Sequence, residues 1–322
     1  MDALSRLVAL LDPRGRMELR CLFGAAFAAP HDAAGPWRAP FHVVLRGTCE
    51  LWLPEEDRTV VLRPGTLLVL PRGSAHTLRA HDPAGASRPL RPGPARIRTQ
   101  AGPLVDLKTN VHDPDRAEIE ILCGEFEFRG RRRSALLEAL PASLVVEFAE
   151  RPEFGWLQGL LRMMAHEIAH QGAGAAAIVA ELSGAVFTLA VRAHLESHTA
   201  PSGVQGVLGV MAHPRLAPAL AAMLESPSQA WTVESLAERC HLSRAAFARL
   251  FVHHAGTTPM ELLTALRMEF ASRLLATGEQ DTASIGEAVG YRSEAAFNRA
   301  FARHAGVTPG RYRRAARMPA AT

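Results

Sequence analysis

The pattern of apolar and polar positions changes its period near the middle of the chain. Between residues 41 and 81, the segments FHVVLRG, CELWL, TVVLRPG and TLLVLPRG alternate short apolar runs with Gly, Pro and charged residues. This spacing predicts short antiparallel strands in a barrel or sandwich. The strand pattern returns in AEIEILCGEFEF at 117–128, and the intervening 82–116, rich in Pro, Gly and Arg, predicts a long mobile insertion.

From about residue 152, apolar residues recur every three or four positions, which is the period of an amphipathic helix. FGWLQGLLRMMAHEIAH and AAAIVAELSGAVFTLAVRAHL are separated by the breaker QGAGA. These segments predict a helical hairpin over 151–200. A small Gly- and Ser-containing stretch follows, and we expect residues 201–229 to connect the hairpin to a C-terminal domain.

The C-terminal part contains the same segment twice. SRAAFARLFVHHAGTTP at 243–259 aligns without a gap against SEAAFNRAFARHAGVTP at 293–309, and eleven of the seventeen positions are identical. Each copy predicts a helix-turn-helix whose second helix is capped by a serine. Ala237 and Gly286 stand where the two helices of a unit must approach closely, and His241 replaces the glycine that occupies the turn as Gly290 in the second copy.

The second helix of each unit keeps a polar face after the apolar stripe is assigned to the core. Arginine can pair with guanine, asparagine with adenine, glutamate with cytosine, and alanine can contact a thymine methyl group. These faces therefore predict base-reading residues, namely Arg244, Ala245, Ala248, Arg249, Glu294, Ala295, Asn298 and Arg299.

A helix of about five turns is predicted between the two units, in PMELLTALRMEFASRLLATG. The two units, this helix and the terminal GVTPGRYRR together resemble the DNA-binding domain of the AraC/XylS regulators over about 230–317. The resemblance implies that one chain places two recognition helices in adjacent major grooves and reads a non-palindromic site.

The distribution of charge agrees with that expectation. Residues 230–322 hold twelve arginines and eight acidic residues, an excess of four that equals the net charge of the whole chain. No run approaches the roughly 18 uncharged apolar residues that a membrane span needs. The four cysteines, Cys21, Cys49, Cys123 and Cys240, show no C-x-x-C spacing, so we expect neither a zinc ribbon nor a disulfide scaffold, and we expect a reducing cytoplasmic location.

The N-terminal half carries an incomplete cupin signature. GTLLVLPRGSAH at 65–76 has the Gly, Pro, Gly and His spacing of the second cupin motif, and His42 followed by Glu50 stands where the first motif would be. This resembles a cupin barrel with one histidine in place of the His-x-His pair. His42 and His76 are the candidate ligands of a divalent metal, and either histidine alone would be a structural residue of the barrel.

Several N-terminal features resemble one cupin-containing subgroup of the AraC/XylS regulators that responds to reactive chlorine species. They are the opening MDALSRLVALLDPRG, Cys21, His42, the segment ending in SAH, and the strand containing Cys123. The resemblance implies that Cys21 and Cys123 are redox-sensing residues, oxidised to sulfenic acid and then captured as a disulfide. The long 82–116 segment and the lack of a further cysteine shortly before Cys123 depart from that subgroup. A small buried hydrophobe is the alternative for each cysteine, and we assign it to Cys49 and Cys240.

One motif points to another class of protein. His166, Glu167 and His170 form a complete HExxH on a predicted helix, the pattern of a zinc peptidase with two histidine ligands and a glutamate base. Glu181 and Glu196 are the only acidic residues downstream in the hairpin, and no further zinc ligand is evident. We therefore expect an exposed His/Glu face and no enzymatic activity.

The sequence thus predicts an α+β protein with a cupin-like sensor barrel at 1–150, a helical hairpin for the interface or dimerisation at 151–200, a connector at 201–229 and a double helix-turn-helix domain at 230–322. We expect a transcriptional activator that responds to oxidative stress and whose partners are double-stranded promoter DNA, RNA polymerase and a second copy of the chain. A small ligand or metal in the barrel is the alternative signal, and a zinc peptidase is the alternative of a different class.

Overall fold

The computed structural model describes residues 2–35, 37–81, 97–128, 137, 140–148, 154–197 and 206–317. The chain forms two compact units. The barrel unit comprises Pro13–Glu127 and Ala142–His194, and the helical unit comprises Met1–Asp12, Phe128–Pro141 and Leu195–Thr322. The domain boundaries expected from the sequence stay a prediction.

The barrel unit is built from two sheets. The larger sheet has seven strands in the order β11-β6-β3-β10-β1-β9-β8, and the smaller has four in the order β2-β7-β4-β5. The strands are β1 Arg14–Phe23, β2 Ala28–His31, β3 Arg38–Arg46, β4 Cys49–Leu53, β5 Arg58–Leu62, β6 Thr66–Val69, β7 His76–Ala80, β8 Arg98–Gln100, β9 Asp106–Thr109, β10 Ile119–Glu127 and β11 Leu144–Glu147.

The strands predicted over 41–81 and 117–128 are confirmed, and the predicted insertion is partly wrong. Residues 98–100 and 106–109 form β8 and β9, and β9 pairs in parallel with β1. Strands of three or four residues are too short to show a recognisable alternation of apolar and polar positions. The Pro- and Gly-rich composition of 82–116 therefore predicted a mobile insertion instead of strands. Residues 82–96 of the predicted insertion lie outside the described residues.

One apolar core is shared by both sheets of the barrel unit. Leu51 and Leu78 of the smaller sheet and Leu68 and Ile121 of the larger one are fully buried in it. Three of the four cysteines, Cys21, Cys49 and Cys123, belong to the same core cluster. These three cysteines therefore lie in the interior of the barrel unit.

The predicted helical hairpin is confirmed as α2 (Gly155–His170) and α3 (Ala175–Ser197). Gln171 ends α2 in the left-handed conformation, with φ of 52°. The ring of Phe187 on α3 lies 5.3 Å from that of Phe126 on β10, so α3 packs against the larger sheet. By length and composition alone α3 is also apolar enough to cross a membrane, which the sequence expectation did not foresee.

The helical unit contains α1 Ala3–Leu11, α4 Gly206–Ala212, α5 Ala217–Glu225, α6 Val233–Arg239, α7 Arg244–Ala255, α8 Pro259–Thr277, α9 Thr282–Ala288, α10 Glu294–Ala305 and α11 Pro309–Arg317. The stretch 201–229 is thus more than a connector, since α4 and α5 lie within it. The five residues of α4 from Gly206 to Val210 are all buried, which explains why small apolar residues form a helix there.

Helices α6 and α7, and then α9 and α10, form the two predicted helix-turn-helix units. Ser243 and Ser293 cap α7 and α10 by accepting hydrogen bonds from the amides of Ala246 and Ala296, both at 3.3 Å. A Cβ atom added at Gly286 would stand 3.1 Å from Cβ of Phe297, so the predicted close approach of the two helices is confirmed.

The two turns differ as the sequence predicts. Gly290 adopts φ of 87° in the second unit, and His241 occupies the same left-handed region with φ of 52° in the first. Non-glycine residues enter this region at a cost, so the first turn is held by the packing of its two helices.

Candidate functional site

The candidate DNA-reading residues lie on α7 and α10, the second helix of each unit. Six of the eight side chains are exposed, and Ala248 and Asn298 are half-buried because they face the packed side of their helices. The phenylalanines of the opposite stripe, Phe247, Phe251, Phe297 and Phe301, are completely buried. Each recognition helix is therefore fixed from beneath and presents an open polar face.

Two of these residues already have defined surroundings without DNA. Nε of Arg244 lies 2.8 Å from Oε1 of Glu234, a residue of α6 that the sequence did not single out. Both side chains are largely exposed, so the ion pair orients Arg244 and contributes little stability. Oδ1 of Asn298 is buried and has no hydrogen-bond partner among the described residues, which leaves an acceptor that DNA or a rotated amide could satisfy.

The spacer between the two units is a rigid helix, as predicted. Thr258, which directly precedes Pro259, forms a reciprocal capping box with Glu261 at the start of α8. In the middle of α8, the guanidinium group of Arg267 donates to the carbonyl oxygens of Pro227 and Gln229, both at 2.7 Å. These contacts fix α8 to the segment that precedes the first helix-turn-helix unit.

A second candidate site lies in the interior of the barrel unit. The sulfur atoms of Cys21 and Cys123 are 3.7 Å apart, although 102 residues separate them in sequence. Cys21 lies on β1 opposite Ile121, and Cys123 lies on β10 opposite Leu19, so the two cysteines are diagonal neighbours on one face of the sheet. The structure therefore brings together the two cysteines that the resemblance selects.

Three histidines adjoin these cysteines. Nδ1 of His42 lies 3.1 Å from Sγ of Cys123, its direct register partner on the neighbouring strand. Nε2 of His42 lies 2.8 Å from Nε2 of His76, whose Nδ1 donates to the carbonyl oxygen of Ser74 at 2.9 Å. The two predicted histidines are thus in direct contact, and one of them contacts Cys123.

The third histidine, His31, was missed by the sequence analysis. It lies on β2 directly opposite His76, and the two rings are stacked with centroids 4.7 Å apart. Its Nδ1 donates to the carbonyl oxygen of Ala29, and its buried Nε2 has no hydrogen-bond partner in the part of the chain that the structure describes. Strand β2 has four residues and includes a proline, so no pattern in the sequence identified His31 as an interior residue.

The buried environment of the three histidines and of Cys123 keeps these side chains uncharged. Burial lowers the pKa of His31 to about 3 and lowers the pKa values of His42 and His76 from their ordinary range. The adjacent Cys21 thiol and burial raise the pKa of the Cys123 thiol well above its ordinary value. Burial also raises the pKa of Cys49 to about 12. The three imidazoles and the Cys123 thiol are therefore uncharged at neutral pH.

The arrangement differs from a cupin metal centre. Within the described residues, no three His, Cys, Asp or Glu side chains are grouped so that they could hold a metal ion. Glu50, which follows the first motif, accepts hydrogen bonds from Nε of Arg79 at 2.9 Å and Nδ1 of His81 at 3.0 Å. The metal role of His42 and His76 stays a prediction.

The HExxH residues lie on α2, where His166 and His170 are exposed with ring centroids 3.9 Å apart. Glu167 is half-buried. Nδ1 of His170 donates to the carbonyl oxygen of His166 at 2.9 Å, within the helix itself. In the part of the chain that the structure describes, no third side chain completes a metal-binding group with this pair.

Known proteins are similar to both the N-terminal and the C-terminal parts of the chain. The cupin family matches residues 2–196, and a helix-turn-helix domain matches residues 236–315. The RCS-specific HTH-type transcriptional activator RclR of Escherichia coli (strain K12) is 32% identical over 295 residues, covering 91% of this chain and 90% of RclR. The chain belongs to the AraC family of transcriptional regulators. It combines an N-terminal cupin domain with a C-terminal helix-turn-helix domain and is a DNA-binding regulator.

Other AraC-type proteins show a similar relationship. A putative AraC-like transcription regulator of Streptomyces lividans is 33% identical over 294 residues, covering 91% of this chain and 92% of its own. Among solved structures, the DNA-binding domain of AdpA in complex with a target DNA is 33% identical, with a TM-score of 0.31, and covers 32% of this chain and 93% of the AdpA domain. The sheets of the cupin domain and the helices of the helix-turn-helix domain confirm the α+β class expected from the sequence.

Proposed function

We propose that this AraC-family regulator responds to reactive chlorine species by forming a disulfide between Cys21 and Cys123. The observation that carries the proposal is the 3.7 Å separation of the two sulfur atoms in the barrel core. Support also comes from the similarity to RclR, an RCS-specific transcriptional activator, at 32% identity over most of both chains.

Formation of the bond would require the strands to move. A disulfide needs sulfur atoms about 2.05 Å apart and Cα atoms within about 6.8 Å, whereas diagonal neighbours in an antiparallel pair have Cα atoms about 7–8 Å apart. Because β1 lies between β10 and β9 in the larger sheet, pulling Cys21 toward Cys123 displaces a central strand. That displacement is the signal by which oxidation of the barrel unit would alter the protein.

The burial of both cysteines determines which oxidants reach them. Cys21 is 1% exposed and Cys123 is 3% exposed. A charged oxidant would lose its hydration on entering this apolar core, whereas hypochlorous acid is small and neutral below its own pKa. We expect hypochlorous acid to react first at Cys21, whose sulfur is then captured by Cys123.

The DNA-binding half supplies the output. We propose that α7 and α10 read two adjacent major-groove segments of promoter DNA through Arg244, Ala245, Ala248 and Arg249, and through Glu294, Ala295, Asn298 and Arg299. Transcription would then increase through contact with RNA polymerase in the cytoplasm. A second copy of the chain would associate through the hairpin of α2 and α3, where Trp156 and Met163 are exposed apolar side chains.

A reporter strain and purified protein test this proposal together. Cys21→Ala and Cys123→Ala should each abolish induction by hypochlorite and leave basal DNA binding unchanged in a gel-shift titration. Cys49→Ala is the matched control, because it removes a buried thiol from the same core. Full induction in the Cys21→Ala strain would contradict thiol sensing and would favour a ligand or metal held by His42 and His76.

A further inference from the structure

We propose that His42 accepts the proton of Cys123 while the disulfide with Cys21 forms, and that His76 holds His42 in the tautomer that can accept it. The inference rests on the proposed function, because it assigns the step by which the second cysteine reacts. It gives the buried histidines of the barrel a role that needs no metal ion.

The tautomers follow from the hydrogen bonds. A carbonyl oxygen only accepts, so Nδ1 of His76, 2.9 Å from the Ser74 oxygen, carries the proton of that neutral ring. Nε2 of His76 is then an acceptor, and Nε2 of His42 must donate to it across 2.8 Å. Nδ1 of His42 is left with a free lone pair that faces Sγ of Cys123 at 3.1 Å. The thiol therefore donates to His42.

This chain of hydrogen bonds places a base beside the thiol that must become a nucleophile. In the described part of the structure, Sγ of Cys123 has two hydrogen-bonding neighbours, Sγ of Cys21 and Nδ1 of His42. Cys21 is the sulfur to be attacked, so His42 is the group that can take the proton. Without it, the buried thiol would have to ionise alone in an apolar core.

Formation of the disulfide consumes one molecule of hypochlorous acid in two steps. Hypochlorous acid transfers chlorine to Sγ of Cys21, and the thiol hydrogen leaves with the hydroxide part as water. Sγ of Cys123 then attacks Sγ of Cys21, the sulfur–sulfur bond forms, and the sulfur–chlorine bond breaks with release of chloride. The proton of Cys123 passes to Nδ1 of His42, and the positive charge is shared with His76 through the Nε2 hydrogen bond. Two thiols are oxidised and one molecule of hypochlorous acid is reduced.

The same cluster provides a control residue. His31 is stacked on His76, but its Nδ1 donates to the carbonyl oxygen of Ala29, and within the described ranges its Nε2 has no hydrogen-bond partner. His31 is buried and makes ring contacts like the other two histidines. It is not part of the series of hydrogen bonds that runs from Ser74 through His76 and His42 to Cys123. A substitution at His31 therefore measures the effect of disturbing the cluster alone.

The test uses full-length reduced protein and one equivalent of hypochlorous acid, with the reaction quenched at intervals and analysed by mass spectrometry. His42→Asn keeps an amide near the Nδ1 position, where it can accept a hydrogen bond but cannot take a proton. We expect oxidation of Cys21 to proceed as in the unmodified protein, and disulfide formation to slow by about 100-fold or more. Cys21 should then accumulate as the sulfenyl chloride, which water hydrolyses to a sulfenic acid with release of hydrogen chloride, and a dimedone probe captures that acid.

The controls separate proton transfer from a structural effect. His76→Gln preserves an acceptor near Nε2, and we expect a smaller decrease in the rate of disulfide formation, whereas His31→Gln should leave it within about twofold. The rate should be nearly independent of pH between 6 and 8 in the unmodified protein. In the His42→Asn variant it should rise with pH, because solvent base must then remove the proton.

A second experiment does not depend on hypochlorous acid. In a Cys21→Ala background, the small neutral reagent methyl methanethiosulfonate should modify Cys123 about 100-fold more slowly when His42→Asn is added. An unchanged rate there, or disulfide formation at the unmodified rate in His42→Asn, would overturn the role of His42. If a chelator slows disulfide formation in the unmodified protein, a bound metal would account for the reaction, and the role of His42 as proton acceptor would be overturned. Failure of the unmodified protein to form the disulfide, with His42-dependent modification retained, would reject the proposed function alone.

Discussion

Cys123 is the register partner of His42 on β3 and the diagonal neighbour of Cys21 on β1, so one residue of the central strand β10 contacts both groups that it needs to react. The three residues come from three adjacent strands of one sheet. Any oxidative change at Cys123 is therefore applied to the middle of the barrel, where the strands have neighbours on both sides.

Oxidation should loosen the strands that carry the two cysteines. Because diagonal neighbours must approach each other to form a disulfide, we expect faster amide hydrogen exchange in β1 and β10 after one equivalent of hypochlorous acid. Strand β5, at the edge of the other sheet, should exchange at an unchanged rate. Hydrogen-exchange mass spectrometry measures both regions in the same sample, and uniform acceleration of all strands would indicate general unfolding instead.

The stability of the barrel unit should fall as the pH drops below about 6.5. Burial lowers the pKa of His31 to about 3, so the folded barrel keeps this ring neutral while the unfolded chain takes up a proton. Stability is then fully present above the unfolded pKa and is lost progressively between about 6.5 and 3, by up to about 1.4 kcal/mol per pH unit for one such group.

Urea titrations at pH 7.5, 6.5 and 5.5 measure this dependence. His42 and His76 add to it in the same direction, since burial also lowers their pKa values. The His31→Gln variant should show a stability change between pH 6.5 and 5.5 that is smaller by about 1 kcal/mol, because the unfolded histidine is only half protonated at the upper end of this range. An identical slope in the variant would show that His31 does not remain neutral in the folded protein.

Arg249→Ala and Arg299→Ala should each weaken specific DNA binding by about 1–3 kcal/mol, because both side chains are exposed on recognition helices and can pair with guanine. Gel-shift titrations against operator DNA and random DNA distinguish base contacts from phosphate contacts. Equal losses on both DNAs would make these arginines phosphate contacts, and unchanged binding would refute their placement in the grooves.

The two recognition faces should produce an asymmetric footprint. Arg244 in the first unit corresponds to Glu294 in the second, and Ala248 corresponds to Asn298, so the two helices read different bases. Hydroxyl-radical footprinting should show two protected segments about one helical turn, roughly 34 Å, apart for each chain. A single protected segment per chain within a strict palindrome is the result that this arrangement does not allow.

Gly286→Ala should destabilise the helical unit, since the new Cβ atom would stand 3.1 Å from Cβ of Phe297. We expect a loss of about 1–3 kcal/mol from this overpacking. Gly159→Ala on α2 is the control, because a Cβ atom there meets nothing within 4 Å apart from its chain neighbours and the backbone of its own helix. That change should stabilise its helix by about 0.5–1 kcal/mol, and thermal unfolding of the two variants gives the comparison.

The sequence by itself determined the helical output domain. Its units are local: Ser243 and Ser293 cap helices through bonds that span three residues, and the buried phenylalanines recur at helical spacing. Such features depend on neighbouring residues, so a gapless repeat of seventeen positions specified them twice. The same logic identified α2 and α3, which are long enough to show a full period. It did not predict α1, α4, β1, β2, β8, β9 and β11, and all of these except α1 and β1 have seven residues or fewer.

Only the tertiary structure decided how the sensor residues are grouped. The contacts of Cys123 with Cys21 and His42 span 102 and 81 residues, and His42 reaches His76 across 34. Such contacts depend on which strands pair and in which register, and a shift of one residue would turn Cys123 to the other face of the sheet. The cysteines and two of the histidines could be selected by resemblance, whereas His31 and the direction of each hydrogen bond required the folded sheet, because no local pattern encodes pairing between distant strands.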